Sequence, residues 1–93
     1  MEKTMRVLKS VTAGSLESSD VLVTITPVSE DHIEYDIESI VIKQYGKRIR
    51  QITEEMAESA GITGARIHVQ DRGALECTLR ARLETAIERS IVC

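Results

Sequence analysis

Aromatic side chains are nearly absent from this chain of 93 residues. It has no tryptophan and no phenylalanine, and its only aromatic residues are Tyr35 and Tyr45. The core must therefore be built from isoleucine, valine and leucine, and the stacking platforms that single-stranded nucleic acids need are missing. The formal net charge of −3 also argues against a nucleic-acid partner, because such proteins usually present a basic face.

Long hydrophobic runs are missing as well. The apolar stretches are too short to span a bilayer, and no apolar signal segment follows the charged first residues. These features predict a cytoplasmic protein without a membrane partner. The two cysteines, Cys77 and Cys93, have neither a metal-ligand spacing nor the pattern of a secreted disulfide framework. We expect Cys77 to be a small buried side chain and Cys93 to have no role.

Residues suited to catalysis or metal binding form no recognisable constellation. His32 and His68 stand at alternating strand positions with polar neighbours, which predicts exposed side chains rather than metal ligands. The glycines are isolated, so no phosphate-binding loop is present. Glu34, Asp36 and Glu38 alternate along one strand face and predict a solvated surface rather than an acid/base pair. The sequence therefore predicts a protein that is not an enzyme.

Hydrophobic periodicity predicts one small α+β domain over residues 1–93. Alternation predicts strands over 21–26, 32–38 and 65–70, and the short connection between the first two favours an antiparallel hairpin. Apolar stripes spaced by three and four residues predict two helices. Their members are Val41, Tyr45, Ile49, Ile52 and Met56 in the first helix and Leu75, Leu79, Leu83, Ala86 and Ile87 in the second. The expected fold has two layers in β-β-α-β-α order, with both helices on one face of a largely antiparallel sheet of three or four strands.

The ends of these elements carry their own signals. Ser39 is the expected N-cap of the first helix, and Gly61 is well placed as the left-handed residue after its last turn. Val7, Leu8 and Val11 could add a short edge strand at the front. Otherwise residues 1–19 are expected to form a flexible N-terminal segment and loop.

A short polar segment precedes the first predicted strand. Residues 13–21 read Ala-Gly-Ser-Leu-Glu-Ser-Ser-Asp-Val, and serines in such loops usually only form turns. The alternative is a display loop, in which a serine hydroxyl is held in solvent where a modifying enzyme can reach it. Glu17 and Asp20 would then keep a phosphate-bearing group away from the loop by like-charge repulsion. The residues alone do not decide between these interpretations.

Three stretches of the chain together match the pattern of a known family. The loop over 13–21 is similar to a motif Ala-Gly-(Thr/Ser)-Leu-Glu-Ser-(Ser/Gly)-Asp-Val, and Val41-Ile-Lys-Gln-Tyr-Gly is similar to the beginning of a long helix. The third stretch begins at Asp71 and reads Asp-Arg-Gly-Ala-Leu-Glu-Cys-Thr-Leu-Arg-Ala-Arg. In this order and spacing the stretches resemble the acyl carrier (gamma) subunits of bacterial citrate lyase.

The resemblance implies a covalent carrier. In this family the serine after Leu-Glu, here Ser18, is linked through a phosphodiester to triphosphoribosyl-dephospho-CoA. The motif residues around it are Gly14, Leu16, Glu17 and Asp20. Physical reasoning from the sequence does not choose between Ser18 and its neighbours Ser15 and Ser19.

The resemblance also implies partners. The thiol of the prosthetic group carries acetyl, which an acyl transferase (alpha) subunit exchanges for citrate, and a citryl lyase (beta) subunit then cleaves the citryl thioester to oxaloacetate. The implied assembly is a large hetero-oligomer, served by a dedicated prosthetic-group transferase, in which this chain contributes no catalytic residue.

Two other functions stay open. The acyl carrier of a malonate-decarboxylase-like complex uses a similar cofactor, and a small α/β regulatory or binding module would carry no covalent group on Ser18. An ordinary acyl or peptidyl carrier does not match. Such carriers resemble a four-helix bundle with the serine in Asp-Ser-Leu at a helix start, whereas Ser18 is followed by Ser19, Asp20 and a predicted strand.

Overall fold

The computed structural model describes residues 4–92 and has the predicted α+β architecture. Six strands and two helices follow one another as β1 (Met5–Arg6), β2 (Val11–Gly14), β3 (Val21–Pro27), β4 (Ile33–Ser39), α1 (Ile42–Ala60), β5 (Ile62–Thr63), β6 (Ala65–Asp71) and α2 (Glu76–Ile91). Both helices pack on one face of a four-stranded sheet, which confirms the two-layer fold. Neither helix in this part of the chain combines the length and apolarity that a membrane crossing requires.

The main sheet has the strand order β2-β3-β6-β4. Strand β3 runs antiparallel to both β2 and β6, whereas β4 runs parallel to β6. The sheet is therefore largely antiparallel, as predicted, but the predicted hairpin between β3 and β4 is wrong because β6 lies between them. A separate two-residue ladder joins β1 to β5 in parallel.

Charge pairing accompanies the position of β4 beside β6. The outer face of β4 is acidic, and its register places Asp36 opposite His68 and Glu34 opposite Arg66. Arg66 donates to Asp36 at 3.2 Å, and His68 lies in hydrogen-bond contact with Glu38. Opposite charges across neighbouring strands are stabilising, and the outer face of β3 has no cation to offer. The length of the connection between β3 and β4, from which the hairpin was predicted, contains no information about these cross-strand pairs.

The core is aliphatic, as the scarcity of aromatic residues requires. Alternate residues of the two central strands are completely buried: Val21, Val23, Ile25, Ala65, Ile67 and Val69. The helices cover them with part of the predicted stripes, chiefly Ile52, Leu83 and Ala86, and with Ala57, which the prediction did not include. Tyr45, a predicted member of the first stripe, is exposed instead. Each valine, leucine or isoleucine side chain among the buried residues contributes roughly 1.5–3 kcal/mol when it leaves water.

The two ends of α1 differ in how well the sequence predicted them. Gly61 adopts the left-handed conformation, with φ of 67°, and its N–H closes the last turn, as predicted. The N-cap, however, is Val41 rather than Ser39. The Ser39 hydroxyl accepts a hydrogen bond from the Val41 N–H and donates to Asp71. It therefore stabilises the turn before the helix and ties that turn to β6.

Helix α2 corrects two expectations. Leu75 is the N-cap and is 71% exposed, so that the buried stripe begins only at Leu79. Cys77 is exposed rather than buried. It stands two residues before Leu79, and two residues turn a helix by about 200°, which directs Cys77 away from the core. Cys93 lies outside the described residues.

The segment over 1–19 contains strands in its described part. Residues Val11–Gly14 form the sheet-edge strand β2, and Met5–Arg6 form β1. The irregular connection that remains before β3 covers residues 15–20. His32 is exposed and His68 is partly exposed on the outer sheet face, and within 4–92 no cluster of three or more metal-ligating side chains occurs.

Candidate functional site

The segment 15–20 is the loop of the β2–β3 hairpin. Its strands pair up to Gly14 and Leu22, and the Ser15 N–H donates to the Val21 carbonyl at 3.2 Å. Gly14 has a φ of 93°, and a Cβ there would overlap the Val21 carbonyl oxygen. Only glycine is compatible with this backbone conformation at the end of β2, which explains the glycine at the second position of the motif.

Asp20 organises the loop. Its carboxylate accepts hydrogen bonds from the Ser15 hydroxyl at 2.6 Å and the Val21 N–H at 2.7 Å. Arg82 of α2 adds a two-nitrogen contact at 3.1 and 3.2 Å, and the Asp20 side chain is only 17% exposed. The Ser15 hydroxyl, the Val21 N–H and Arg82, in that order, lower the pKa of Asp20 to about 2. The carboxylate therefore fastens the base of the loop to α2.

A second pair of hydrogen bonds fastens the loop to the segment after β6. The Ser19 N–H donates to the Arg72 carbonyl at 2.8 Å, and the Arg72 N–H donates to the Asp20 carbonyl at 2.9 Å. Ser19 adopts a left-handed φ of 63°, and the Asp20 N–H closes a turn on the Glu17 carbonyl. The loop is thus held at its base and on one side, while Leu16, Glu17 and Ser18 remain exposed.

The three candidate serines have different surroundings. Ser15 is half-buried, and its hydroxyl is used as the donor to Asp20. Ser18 and Ser19 are exposed, and neither hydroxyl has a hydrogen-bond partner within residues 4–92. A phosphodiester on Ser15 would remove that donor and set a negative phosphate beside a carboxylate. A phosphodiester on Ser18 or on Ser19 would break no side-chain hydrogen bond, so the structure sets Ser15 apart and treats the other two serines alike.

Asp71 stabilises the turn after β6, which contacts the loop through Arg72. It is buried, and its carboxylate accepts hydrogen bonds from the Ser39 hydroxyl and from the N–H groups of Gly73 and Ala74. These contacts shape the turn that presents Arg72 to the loop. Sequence reasoning placed Asp71 within a motif without assigning it this role.

The sequence also missed the contact between Asp20 and Arg82. The two residues lie 62 positions apart, and their proximity depends on α2 crossing β2 and β3. The only available signal was that each stands in a stretch resembling the same family. A single sequence contains no other indication that these two charges meet.

Protonating Asp20 is expected to loosen the loop. Because its folded-state pKa of about 2 lies below the ordinary 3.8, its stabilisation is present above about pH 4 and is lost as the pH falls towards 2. Asp20→Asn should abolish this part of the acid dependence of unfolding, measured in urea between these pH values. Glu34→Gln, on the outer sheet face, is the control. An NMR titration midpoint near 3.8 for Asp20 would contradict the expectation.

Comparison with known proteins identifies the family. The citrate lyase acyl carrier protein of Streptococcus uberis is 44% identical over 86 residues, which cover 92% of this chain and 84% of the relative. That of Albidiferax ferrireducens is 41% identical over 94% of this chain and 89% of the relative. This chain belongs to the citrate lyase acyl carrier protein family. The resemblance seen in the three sequence stretches is thereby confirmed.

Citrate lyase acyl carrier proteins are related to a second group of carriers. Residues 8–90 match the acyl carrier family model described as malonate decarboxylase delta subunit (MdcD). A solved structure of a Pseudomonas malonate decarboxylase hetero-tetramer in complex with malonate contains a chain of the same fold, with a TM-score of 0.75 and 18% identity. The alignment covers 96% of this chain and 91% of that chain. At this identity the likeness concerns the fold.

Proposed function

We propose that this chain is the acyl carrier subunit of a citrate lyase and bears triphosphoribosyl-dephospho-CoA on Ser18 through a phosphodiester. The observation that carries the proposal is the exposed Ser18 hydroxyl, without a hydrogen-bond partner in residues 4–92, on a loop that Asp20 and Arg72 hold to the domain. Membership in the citrate lyase acyl carrier protein family supports it.

The chain's own residues anchor and present the prosthetic group. When attached, that group supplies a terminal thiol for acetyl and citryl thioesters. Ser18 provides the attachment oxygen, and Gly14, Asp20 and Arg82 keep its loop in one conformation. A tethered thioester reaches successive active sites without dissociating, so each transfer proceeds at a high effective concentration. The carrier itself needs no catalytic residue.

The proposed partners are the alpha (acyl transferase) and beta (citryl lyase) subunits of a cytoplasmic hetero-oligomer, together with a dedicated prosthetic-group transferase. The occurrence of the same fold in a hetero-tetrameric malonate decarboxylase supports a carrier within a multi-subunit complex. We propose no nucleic-acid and no membrane partner, in line with the acidic composition and the aliphatic, helix-covered core.

A second candidate is the carrier of a malonate-decarboxylase-like complex. The matching family model and the solved hetero-tetramer favour it. The 41–44% identity to citrate lyase carriers, against 18% to the chain in that hetero-tetramer, favours citrate lyase. The two differ in the acyl group delivered, citryl in one case and malonyl in the other.

Mass spectrometry tests the proposal directly. Protein purified from its native host, with the citrate-fermentation genes expressed, should show an intact mass increased by one triphosphoribosyl-dephospho-CoA group. Peptide mapping should place the increase on Ser18, and citrate should convert the acetylated form to a citryl thioester when the alpha subunit is added. Conversion by malonate instead would favour the second candidate. A bare chain from citrate-fermenting cells would refute both and favour a module without a covalent group.

A further inference from the structure

A cavity of about 400 Å³ opens between the N-terminal turns of α1 and α2. Ile49 and Ile52 of α1 and Leu79 of α2 line its interior, and Tyr45, Ala74 and Leu75 lie nearer the surface. Volumes of 300–1,000 Å³ with mainly apolar walls are typical of small-molecule sites. Tyr45, the aromatic side chain that lines the cavity, is more than half exposed.

The mouth of the cavity combines exposed apolar surface with a few polar groups. Tyr45 is 57% exposed and Leu75 is 71% exposed, and no other element in residues 4–92 covers them. Between them, Arg48 of α1 donates to Glu76 of α2 at 2.7 Å. A ligand for this site would have apolar segments for the walls and amide or hydroxyl groups for the mouth.

The cavity lies close to the attachment loop along the chain that follows β6. One wall consists of Gly73, Ala74 and Leu75, directly after Arg72. Arg72 is the residue that exchanges backbone hydrogen bonds with Ser19 and Asp20. Three residues span at most about 11 Å, so the cavity wall begins within a short distance of the loop that displays Ser18.

We propose that this cavity receives the pantetheine-like end of the prosthetic group that Ser18 carries, and so shelters the thiol between transfers. The inference rests on the proposed function. Pantetheine has methylene and dimethyl segments, which suit Ile49, Ile52 and Leu79, and amides, which suit the polar groups of Arg48 and Glu76 at the mouth. Because the ligand is tethered, its effective concentration is about millimolar, and weak binding is enough to keep the cavity filled.

A second cavity provides the matched control. It lies towards the C-terminal ends of both helices, where Met56, Ala60 and Ile87 line it, and it has a similar volume of about 460 Å³. Ala74→Leu fills the proposed site, and Ala60→Leu fills the control site with the same added atoms. Both alanines are only partly buried, so either change is compatible with the fold.

The test measures the accessibility of the thiol. Loaded wild type, Ala74→Leu and Ala60→Leu are alkylated with iodoacetamide, with free pantetheine as the internal standard, and the Ser18 peptide is followed by mass spectrometry. We expect the wild-type and Ala60→Leu thiols to react at least about threefold more slowly than the Ala74→Leu thiol. Equal rates in all three proteins would overturn the inference.

A second measurement needs no variant. Amide NMR spectra of bare and loaded wild type should differ at Ile49, Ile52 and Leu79, which lie in the cavity and not in the loop. Differences confined to residues 14–20 and to Arg72 would overturn the inference while leaving the carrier function intact. Intact mass is measured first, to distinguish failure of this inference from failure of the carrier function. A chain without the group on Ser18 would overturn both.

Discussion

Ser18→Ala is expected to abolish attachment of the prosthetic group completely. The Ser18 hydroxyl is the proposed attachment oxygen because the motif that this loop resembles has its attachment serine directly after Leu-Glu. The Ser15 hydroxyl is bonded to Asp20, whereas the Ser19 hydroxyl is exposed but stands one position beyond that serine. The measurement is intact mass after coexpression with the prosthetic-group transferase, followed by peptide mapping.

Two neighbouring serines serve as controls for Ser18→Ala. Ser19→Ala changes an exposed side chain without a hydrogen bond in residues 4–92 and should leave the rate of attachment within about twofold. Ser15→Ala removes a donor to Asp20 and should slow attachment without abolishing it, because it weakens the base of the loop. Full loading of Ser18→Ala, or loss of loading only in Ser19→Ala, would show that the attachment residue has been misassigned.

Asp71→Ala is expected to lower the free energy of unfolding by about 3 kcal/mol, roughly a 150-fold change in the folding equilibrium. The substitution leaves the Ser39 hydroxyl and the N–H groups of Gly73 and Ala74 without their acceptor. Asp71 is buried, so water cannot replace the carboxylate without opening the end of the sheet. Urea unfolding followed by circular dichroism measures the change.

The control for Asp71→Ala is Asp36→Ala on the open face of the sheet. Asp36 is more exposed and pairs with Arg66 at 3.2 Å, so its loss should cost no more than about 1 kcal/mol. Asp71→Asn keeps one acceptor oxygen and should fall between the two. If Asp71→Ala were no more destabilising than Asp36→Ala, the carboxylate would not support the turn after β6.

Local patterns in the sequence predicted the elements but not their arrangement. Burial on one face produces a regular hydrophobic pattern that can be read directly from a single sequence. Examples are the alternation over 21–26 and 65–70 and the stripe through Ile49 and Ile52. The adjacency of β4 and β6 brings together residues about 30 positions apart, which no local pattern contains. The exposure of Cys77 follows from its helical phase relative to Leu79, which is a local pattern that the expectation of burial overlooked.

The position of the candidate site was predictable from the sequence, but the contacts that hold its loop in place were not. Small and polar residues over 13–21 marked the loop, and resemblance to a family singled out Ser18. Physical reasoning from the sequence treated Ser15, Ser18 and Ser19 alike. The structure distinguishes Ser15 from the other two, because a partner that is distant in sequence, Arg82, orients the Asp20 carboxylate to which Ser15 donates.

The central position of β6 has a consequence for biosynthesis. A ribosome that has released the chain only through α1 has produced β2, β3 and β4 without the strand that joins them. The loop near the start of the chain depends on Arg72 and Arg82, which are synthesised much later. Folding therefore awaits long-range pairing late in translation, and under the proposed function we expect the prosthetic group to be attached to the released domain rather than to the nascent chain.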